Sequence, residues 1–334
     1  MVKRSKPLVS VVLPVHNGEK TIARAIESIR RQTYSHWELI IINDGSTDNT
    51  LPIVQRMSEA RINLYSLAHS GIAKSLNFGI KMSEGELIAR MDADDECHPD
   101  RLKRQVEYLD KNPEIGVVSS RAEYMGEPVQ EGFKHHVDWT NGLLRHNDLY
   151  HARFQDAPFA HPSVLFRKSL YFRYGGYNEG EIPEDFELWL RWFQLGVQMA
   201  KLPEELITWY DHSDRSSRNA TNYSKKRFDQ VKARYFHLWY VEQKINRPLW
   251  VFGAGRSVKN RIKPLIKLGF SIEKFIDVKQ STDPKRIHYH ALPSPVQDGP
   301  LILSCVSNRK GKMDIKEFLI TRGYREGQDF VMLA

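Results

Sequence analysis

Short, nearly continuous apolar runs alternate with amphipathic stretches along the first 120 residues. Residues 9–15 and 37–43 read as strands buried on both faces, and 62–67 and 86–91 continue the series. Between them, residues 20–32 carry Ile22, Ala25, Ile26 and Ile29 on one helical stripe. Residues 48–60, 73–81 and 99–111 read as further helices, the last with Pro99 in its first turn. Apolar strands separated by helices predict a parallel sheet covered on both faces. That is an α/β domain of doubly wound type, which binds ligands beyond the carboxyl ends of its strands.

Residues 116–163 are less regular and rich in His, Asp and aromatic residues. Residues 182–195 read as a helix with Pro183 near its start and Gly196 just past its end, and 223–244 as a basic helix. Asn246-Arg247-Pro248 marks a boundary. Beyond it come a strand (249–252), a turn at Gly253–Gly255, a helix (258–268), a strand (274–278), and strands 301–306 and 329–333 flanking a helix at 312–322. The expected division is a first α/β domain over 1–222, a basic helical linker over 223–246 and a small Rossmann-like domain over 247–334.

A chain of 334 residues suits two domains, and 41% hydrophobic with 27% charged residues excludes wholesale disorder. Two cysteines, Cys97 and Cys305, make neither a disulfide framework nor a four-ligand zinc site, and point to reduced thiols in the cytoplasm. No apolar run approaches the ~20 residues that span a bilayer. The basic start and apolar run at the N-terminus lead straight into a polar HNGE turn with no small-residue cleavage site, so the run reads as the first strand. The net charge of +8 is unevenly spread: residues 225–267 hold 12 Lys/Arg against Asp229 and Glu242, which leaves the rest of the chain near −2. Such a stretch faces nucleic acid or anionic lipid heads, or is a solvated helix face.

Candidate chemistry gathers in the first domain. Asp92-Ala93-Asp94-Asp95 follows an apolar strand, and three carboxylates in four residues repel one another unless a cation sits between them. Oxygen-only ligation suits Mg²⁺ or Mn²⁺; the alternative is a solvated acidic turn. Two more strands end in polar turns on the same sheet edge, Pro14-Val15-His16-Asn17-Gly18-Glu19 and Asn43-Asp44-Gly45-Ser46-Thr47-Asp48. Asp44 is suited to a nucleobase ring N–H, and Asp48 to a helix cap.

The segments PVHNGEKTIARAIESIRRQTYSHWELIIINDGSTDNT, HSGIAKSLNFGI, GELIARMDADD and HPDRLKRQ resemble the family 2 glycosyltransferases of GT-A fold, in family order from residue 9 to 195. The resemblance implies a nucleotide-diphosphate-sugar donor, a UDP-sugar first among them, a divalent metal (Mn²⁺ or Mg²⁺) and inversion at the anomeric carbon. It puts Pro14, His16 and Glu19 around the nucleoside and Asp44 on the base. Lys74 then approaches the donor, Arg90 borders the nucleotide pocket, Asp92 lies near the ribose or the metal, and Asp94 ligates the metal, with Asp95 a further candidate. In Ile182-Pro183-Glu184-Asp185 the resemblance makes Asp185 the general base. Acids in a first helical turn also favour the macrodipole, so Glu184 has that second reading. Trp189 and Trp192 read as core, and His161-Pro162 fits an acceptor-side loop. Where many members carry Tyr-Arg-x-His, this chain reads Trp209-Tyr210-Asp211-His212; His212 is left as a candidate for the metal or diphosphate, without the Arg.

Gly253-Ala254-Gly255-Arg256, with Asp277 ending the next strand, half-matches a dinucleotide fingerprint whose third glycine is replaced by Val258. The tail resembles the C-terminal region of queuosine-tRNA galactosyltransferases. The acceptor expected is a cell-surface glycan or lipid-linked saccharide. A modified tRNA nucleoside is the alternative, gripped by the 225–267 stretch with Tyr235, Phe236, Trp239, Tyr240 and Trp250 stacking bases. An amphipathic helix whose aromatics pack inward is the structural reading of the same residues. Peripheral membrane contact without a transmembrane segment fits a lipid-linked acceptor. Nucleotidyl transfer would need a Gly-rich triphosphate loop, of which HNGEK is a poor version, and a non-catalytic nucleotide-binding module would make Asp94 and Asp185 dispensable.

Overall fold

Strands β1 (Val9–Val15) and β2 (Trp37–Asp44) are buried at every position, as continuous apolar runs require. They pair in parallel from Val9 opposite Trp37 to Val15 opposite Asn43. The structure, a computed structural model, describes residues 6–126, 128–211 and 221–334. Helices α1 (Ile22–Arg30) and α2 (Thr50–Arg56), strand β3 (Ile62–Leu67), helix α3 (Ile72–Met82) and strand β4 (Leu87–Arg90) complete the parallel half of the first sheet. Helix α3 presses on β1 and β2 through Gly79, where a Cβ would lie 2.5 Å from Ile42 Cδ1 and 2.6 Å from Val12 Cγ1. A side chain there would push the helix off the sheet.

The other half departs from the expected all-parallel pattern. Strand β5 (Glu96–Cys97), helix α4 (Arg101–Lys111), strand β6 (Ile115–Gly126), helices α5 (Glu131–Asn141) and α6 (His146–Ala152), strand β7 (Leu165–Arg167), helices α7 (Lys168–Tyr174) and α8 (Glu184–Gln194), and strand β8 (Gln198–Asp211) follow in that order. The sheet order is β3-β2-β1-β4-β7-β6-β8-β5, with β7 antiparallel to both β4 and β6, and β5 antiparallel to β8. The stretch 116–163, which reads as irregular, holds most of β6 together with α5 and α6. Its apolar pattern stops at Ser119, and the rest of β6 is paired through its backbone to β8.

Next come helix α9 (Lys225–Glu242), strand β9 (Leu249–Phe252), helix α10 (Arg256–Lys267), strands β10 (Ile272–Asp277), β11 (Arg286–His288) and β12 (Leu301–Ser304), helix α11 (Arg309–Thr321) and strand β13 (Phe330–Met332). These five strands form a wholly parallel sheet of order β11-β10-β9-β12-β13.

The chain folds into two compact units that interleave in sequence. Unit 1 contains the described residues of 6–149, 158–180 and 195–211, and unit 2 those of 150–157, 181–194 and 221–334. The unit 1 core joins the sheet to α1 and α4 through residues such as Leu13, Ile26, Leu39, Leu102 and Val118. In unit 2, α8 contributes Phe186 and Leu190 to a core shared with α9, α10 and the sheet, and α11 seats Ile315 and Leu319 among Phe252, Ile276 and Ile302. Tyr235, Phe236, Trp239 and Trp250 are buried. The inward-packing reading holds for these four rings, which offer no surface on which bases could stack, while Tyr240 is half-buried.

Candidate active site

Strand β4 runs out of the sheet into Met91 and then Asp92-Ala93-Asp94-Asp95. One carboxylate oxygen from each of the three acids lies within 4.8 Å of the others. Two distant elements hold this turn. From α1, Arg24 Nη2 donates to the Asp94 carbonyl at 2.7 Å, and its Nε meets Glu96 at 3.1 Å. From β8, the Tyr210 amide donates to Asp95 Oδ1 at 2.9 Å, while the Arg24 guanidinium lies 3.8 Å over the Tyr210 ring. The Tyr210 hydroxyl closes the clamp on Glu96 at 3.1 Å. Asp95 is fully buried, and Asp92 and Asp94 are half-buried.

Two buried cations underlie the acids. Arg90 forms an ion pair with Asp92. Burial opposes its charge, but Asp92, with Tyr177 and Asp95 adding to the field, holds it above the ordinary arginine pKa. The buried Arg90 Nε makes no hydrogen bond among the described residues. Arg101 is fully buried and donates to the Arg90 carbonyl at 2.8 Å and the Val164 carbonyl at 3.2 Å. Burial pushes its pKa down to about 10, so it stays protonated at neutral pH. It thereby pins the strand end from which the acids project.

The first two strand ends are laced together. Pro14 is buried within β1. His16 is exposed, and its Nδ1 lies 2.8 Å from the Asp44 carbonyl oxygen. His69 Nδ1 lies 3.1 Å from the same oxygen, and the two imidazoles stack with centroids 4.1 Å apart. Gly45, at φ +70, lets this happen, because a Cβ there would meet the His69 amide at 2.7 Å. Glu19 Oε2 accepts from the Asn49 amide at 3.0 Å, and Asp48 Oδ2 from the Glu19 amide at 3.0 Å, so these two acids brace one loop against the other. The Asp44 carboxylate accepts from the Ser70 amide at 2.8 Å and hydroxyl at 3.0 Å through Oδ1, and from the Gly71 amide at 2.9 Å through Oδ2. Burial raises its pKa, yet these donors and His69 outweigh it and hold Asp44 below the usual carboxylate range. Asp44 thus shapes the approach to α3, on whose first turn Lys74 stands exposed.

His161, whose Nε2 lies 2.8 Å from the Tyr177 hydroxyl, is pushed well below the usual histidine pKa by burial and then by the Arg90 charge. Asp185 belongs to unit 2, in the first turn of α8, and is half-buried, with Oδ1 2.7 Å from the Phe186 amide. Its neighbour Glu184 is buried, and both its oxygens accept from the Tyr223 hydroxyl, at 2.7 and 2.8 Å. Trp189 and Trp192 are core, edge to face at 5.8 Å. His212 lies outside the described residues.

The three carboxylates fit a hard divalent ion. Their donors are all oxygen, the ligand type such an ion takes, and one oxygen from each acid lies within 4.8 Å of the others. The sequence pattern misses Arg24, Arg101, Tyr210 and His69 as parts of this site. All four lie in segments quoted for the family resemblance or its departure, but nothing in those segments shows that their side chains or backbone reach the acids or Asp44.

Residues 10–174 match the description Glycosyl transferase family 2. An uncharacterised glycosyltransferase of Haemophilus influenzae is 34% identical over 220 residues, 63% of this chain and 68% of that protein. The amylovoran biosynthesis glycosyltransferase AmsE of Erwinia amylovora is 31% identical over 223 residues, 65% and 81% of the two chains. S. aureus TarS 1-349, solved with UDP-GlcNAc, has a TM-score of 0.52 at 18% identity over 70% of this chain and 72% of its own. The mannosyltransferase PcManGT of Pyrobaculum calidifontis, solved with GDP-Man and Mn²⁺, has a TM-score of 0.52 at 18% identity over 79% and 69%. These likenesses agree with a GT-A type of sheet joined to a second, smaller parallel sheet.

Proposed function

The chain belongs to glycosyl transferase family 2, and from that premise we propose that it is an inverting hexosyltransferase using a nucleotide-diphosphate sugar, a UDP-sugar first among them. The observation that carries this reading is the convergence of Asp92, Asp94 and Asp95 at the end of β4, with Arg90 buried behind them. Asp94, with Asp92 and Asp95 beside it, would hold Mn²⁺ or Mg²⁺. Such an ion neutralises charge on a departing diphosphate. TarS with UDP-GlcNAc and PcManGT with GDP-Man and Mn²⁺ support the donor class and the metal.

The acceptor oxygen forms its bond to the anomeric carbon as the bond from that carbon to the diphosphate oxygen breaks, and the diphosphate leaves with the electron pair. Asp185 takes the acceptor hydroxyl proton, a role that needs an ionised carboxylate reachable from solvent. Its half-exposure supports it over the buried Glu184. Lys74, exposed on the first turn of α3, is suited to the diphosphate, and Arg90 borders the nucleotide pocket from behind Asp92. His16 and His69 offer an imidazole pair beside the nucleoside. Asp44 acts on that pocket by holding the Ser70–Gly71 turn.

The acceptor class is a cell-surface glycan or lipid-linked saccharide, which the amylovoran relative supports. The burial of Tyr235, Phe236, Trp239 and Trp250 counts against a tRNA nucleoside as acceptor. Purified protein screened with Mn²⁺ against a panel of nucleotide sugars tests the reading. Turnover of one donor is expected, and Asp185→Asn should bind that donor with unchanged affinity while losing ~10²-fold or more in transfer. Unimpaired transfer by Asp185→Asn would remove it as the base.

A further inference from the structure

The C-terminal ends of α9 and α10 leave large aliphatic side chains in solvent on unit 2. Leu238 and Val241, one turn apart on α9, are 42% and 59% exposed, and Ile266 and Leu268 at the end of α10 are 51% and 42% exposed. On α9 the core uses the other stripe, with Phe236 and Trp239 buried, and on α10 Ile266 and Leu268 flank the buried stripe of Ile262 and Leu265. The two ends meet one another. The Tyr240 and Phe270 rings pack edge to face at 5.1 Å, and Val241 and Leu268 line one cleft of about 500 Å³. No described helix is long and apolar enough to cross a membrane.

The same helix ends carry positive charge. Lys244, Lys263 and Lys267 are exposed there, with Arg234 and Lys259 farther along the same helices. None of the five forms an ion pair among the described residues, whereas Arg227 and Arg261 are paired to Glu181 and Asp229. The acids at this end, Glu242 and Glu273, are engaged by Gln194 and by the Trp250 indole N–H. Exposed aliphatic side chains on helix ends that also carry exposed, unpaired lysines complement a surface of lipid phosphates over hydrocarbon. The lysines alone would suit phosphates of either a lipid or a nucleic acid, and the exposed aliphatic side chains between them favour the lipid.

We propose that this end of unit 2 docks on an anionic bilayer, with Val241, Leu268 and their neighbours entering the headgroup region and the lysines meeting lipid phosphates. The site lies outside the donor-binding residues, and the proposal stands whether or not sugar transfer is the activity.

The test is flotation of the full chain with vesicles of phosphatidylcholine alone and of phosphatidylcholine mixed with phosphatidylglycerol, without donor. Binding to the mixed vesicles only, weakening as salt rises, is the expected result. A Val241→Asp/Leu268→Asp pair and a Lys263→Glu/Lys267→Glu pair should each weaken it by about tenfold or more. All four side chains are exposed, so circular dichroism and melting should stay unchanged. Equal binding to both vesicle types overturns the proposal, as does wild-type flotation by the aspartate pair. Bulk tRNA bound equally by wild type and the aspartate pair, with no vesicle binding, overturns it in favour of RNA. Donor hydrolysis measured without vesicles should not change in either pair, which separates this result from the fate of the sugar-transfer reading.

Discussion

Three carboxylates gather where β4 leaves the first sheet, whereas β12, which holds the matching place in the second, runs out into Ser304 and Cys305. The two sheets share an order over this region. Unit 1 runs β3-β2-β1-β4 and unit 2 runs β11-β10-β9-β12, so each opens a crevice where the order reverses. In unit 1 the strand ends bring His16, Asp44 and Asp92 to Asp95 to that edge, and Arg90 and Arg101 lie buried beneath. In unit 2 they bring the Gly253–Gly255 turn and one carboxylate, Asp277. Topology therefore supplies a place for a ligand, and the side chains at the strand ends decide whether a dication can be held there.

Four substitutions probe that contrast. The largest effect is expected from Asp94→Ala, which should cut sugar transfer by ~10³-fold, while Asp277→Ala leaves the initial rate with Mn²⁺ unchanged. Equal losses would break the comparison. Next, Arg101→Met removes the buried guanidinium that donates to the Arg90 and Val164 carbonyls and should cost about 1–3 kcal/mol in urea unfolding, against about 0.5 kcal/mol or less for the exposed Arg256→Met in the unit 2 crevice.

Two buried lysines sharpen the comparison by pH. Burial pushes Lys201 of unit 1 down to about 7 and Lys232 of unit 2 down to about 8, from 10.5. The Lys201 ammonium is solvated by carbonyls such as that of Pro158, at 2.9 Å, and Lys232 by that of Gln155. Between each lowered value and 10.5 the unfolded chain binds more protons than the folded one, so stability rises with pH across that window. Each lysine should contribute up to about 1.4 kcal/mol per pH unit. Unfolding measured from pH 7 to 10 should lose part of its slope in Lys201→Met and, from pH 8, in Lys232→Met. An unaltered slope would show that the ammonium is not desolvated. The smallest effect belongs to Asp44→Asn, which removes one of two carboxylate oxygens and one backbone acceptor bond. It should cost about 1 kcal/mol in thermal unfolding, and the wild-type advantage should fade only as pH falls below the usual carboxylate range, since the folded Asp44 pKa is depressed.

Some elements are plain in the chain because their patterning has one physical meaning. A seven-residue run such as VSVVLPV can only be buried on both faces, and β1 and β3 fall where the periodicity puts them. Strand β8, QMAKLPEELITWYD, escapes the same reading: it mixes Pro203, Glu204 and Glu205 into its length, and its register to β6 shifts at more than one point. The carboxylates of the site are likewise legible, being consecutive and immediately after an apolar strand. Their supports are not. Arg24 reaches Asp94 across 70 residues and Tyr210 reaches Asp95 across 115, and a single arginine or tyrosine in an amphipathic segment carries no mark of a partner so far away. The aromatic residues among the lysines of α9 and β9 show the converse, since composition allows them to face a ligand and packing turns them inward.

Local patterning by itself determined the parallel strands, the helices between them and which carboxylates stand at a strand's end, because burial period and chain order are properties of neighbouring residues. Only the tertiary structure decided that Glu184 is buried while Asp185 is half-exposed, that Asp44 holds a turn, and that Leu238, Val241, Ile266 and Leu268 emerge among the lysines. The reason is that solvent access and hydrogen-bond partnership depend on which distant segments meet, and those meetings are settled by the packing of the folded chain.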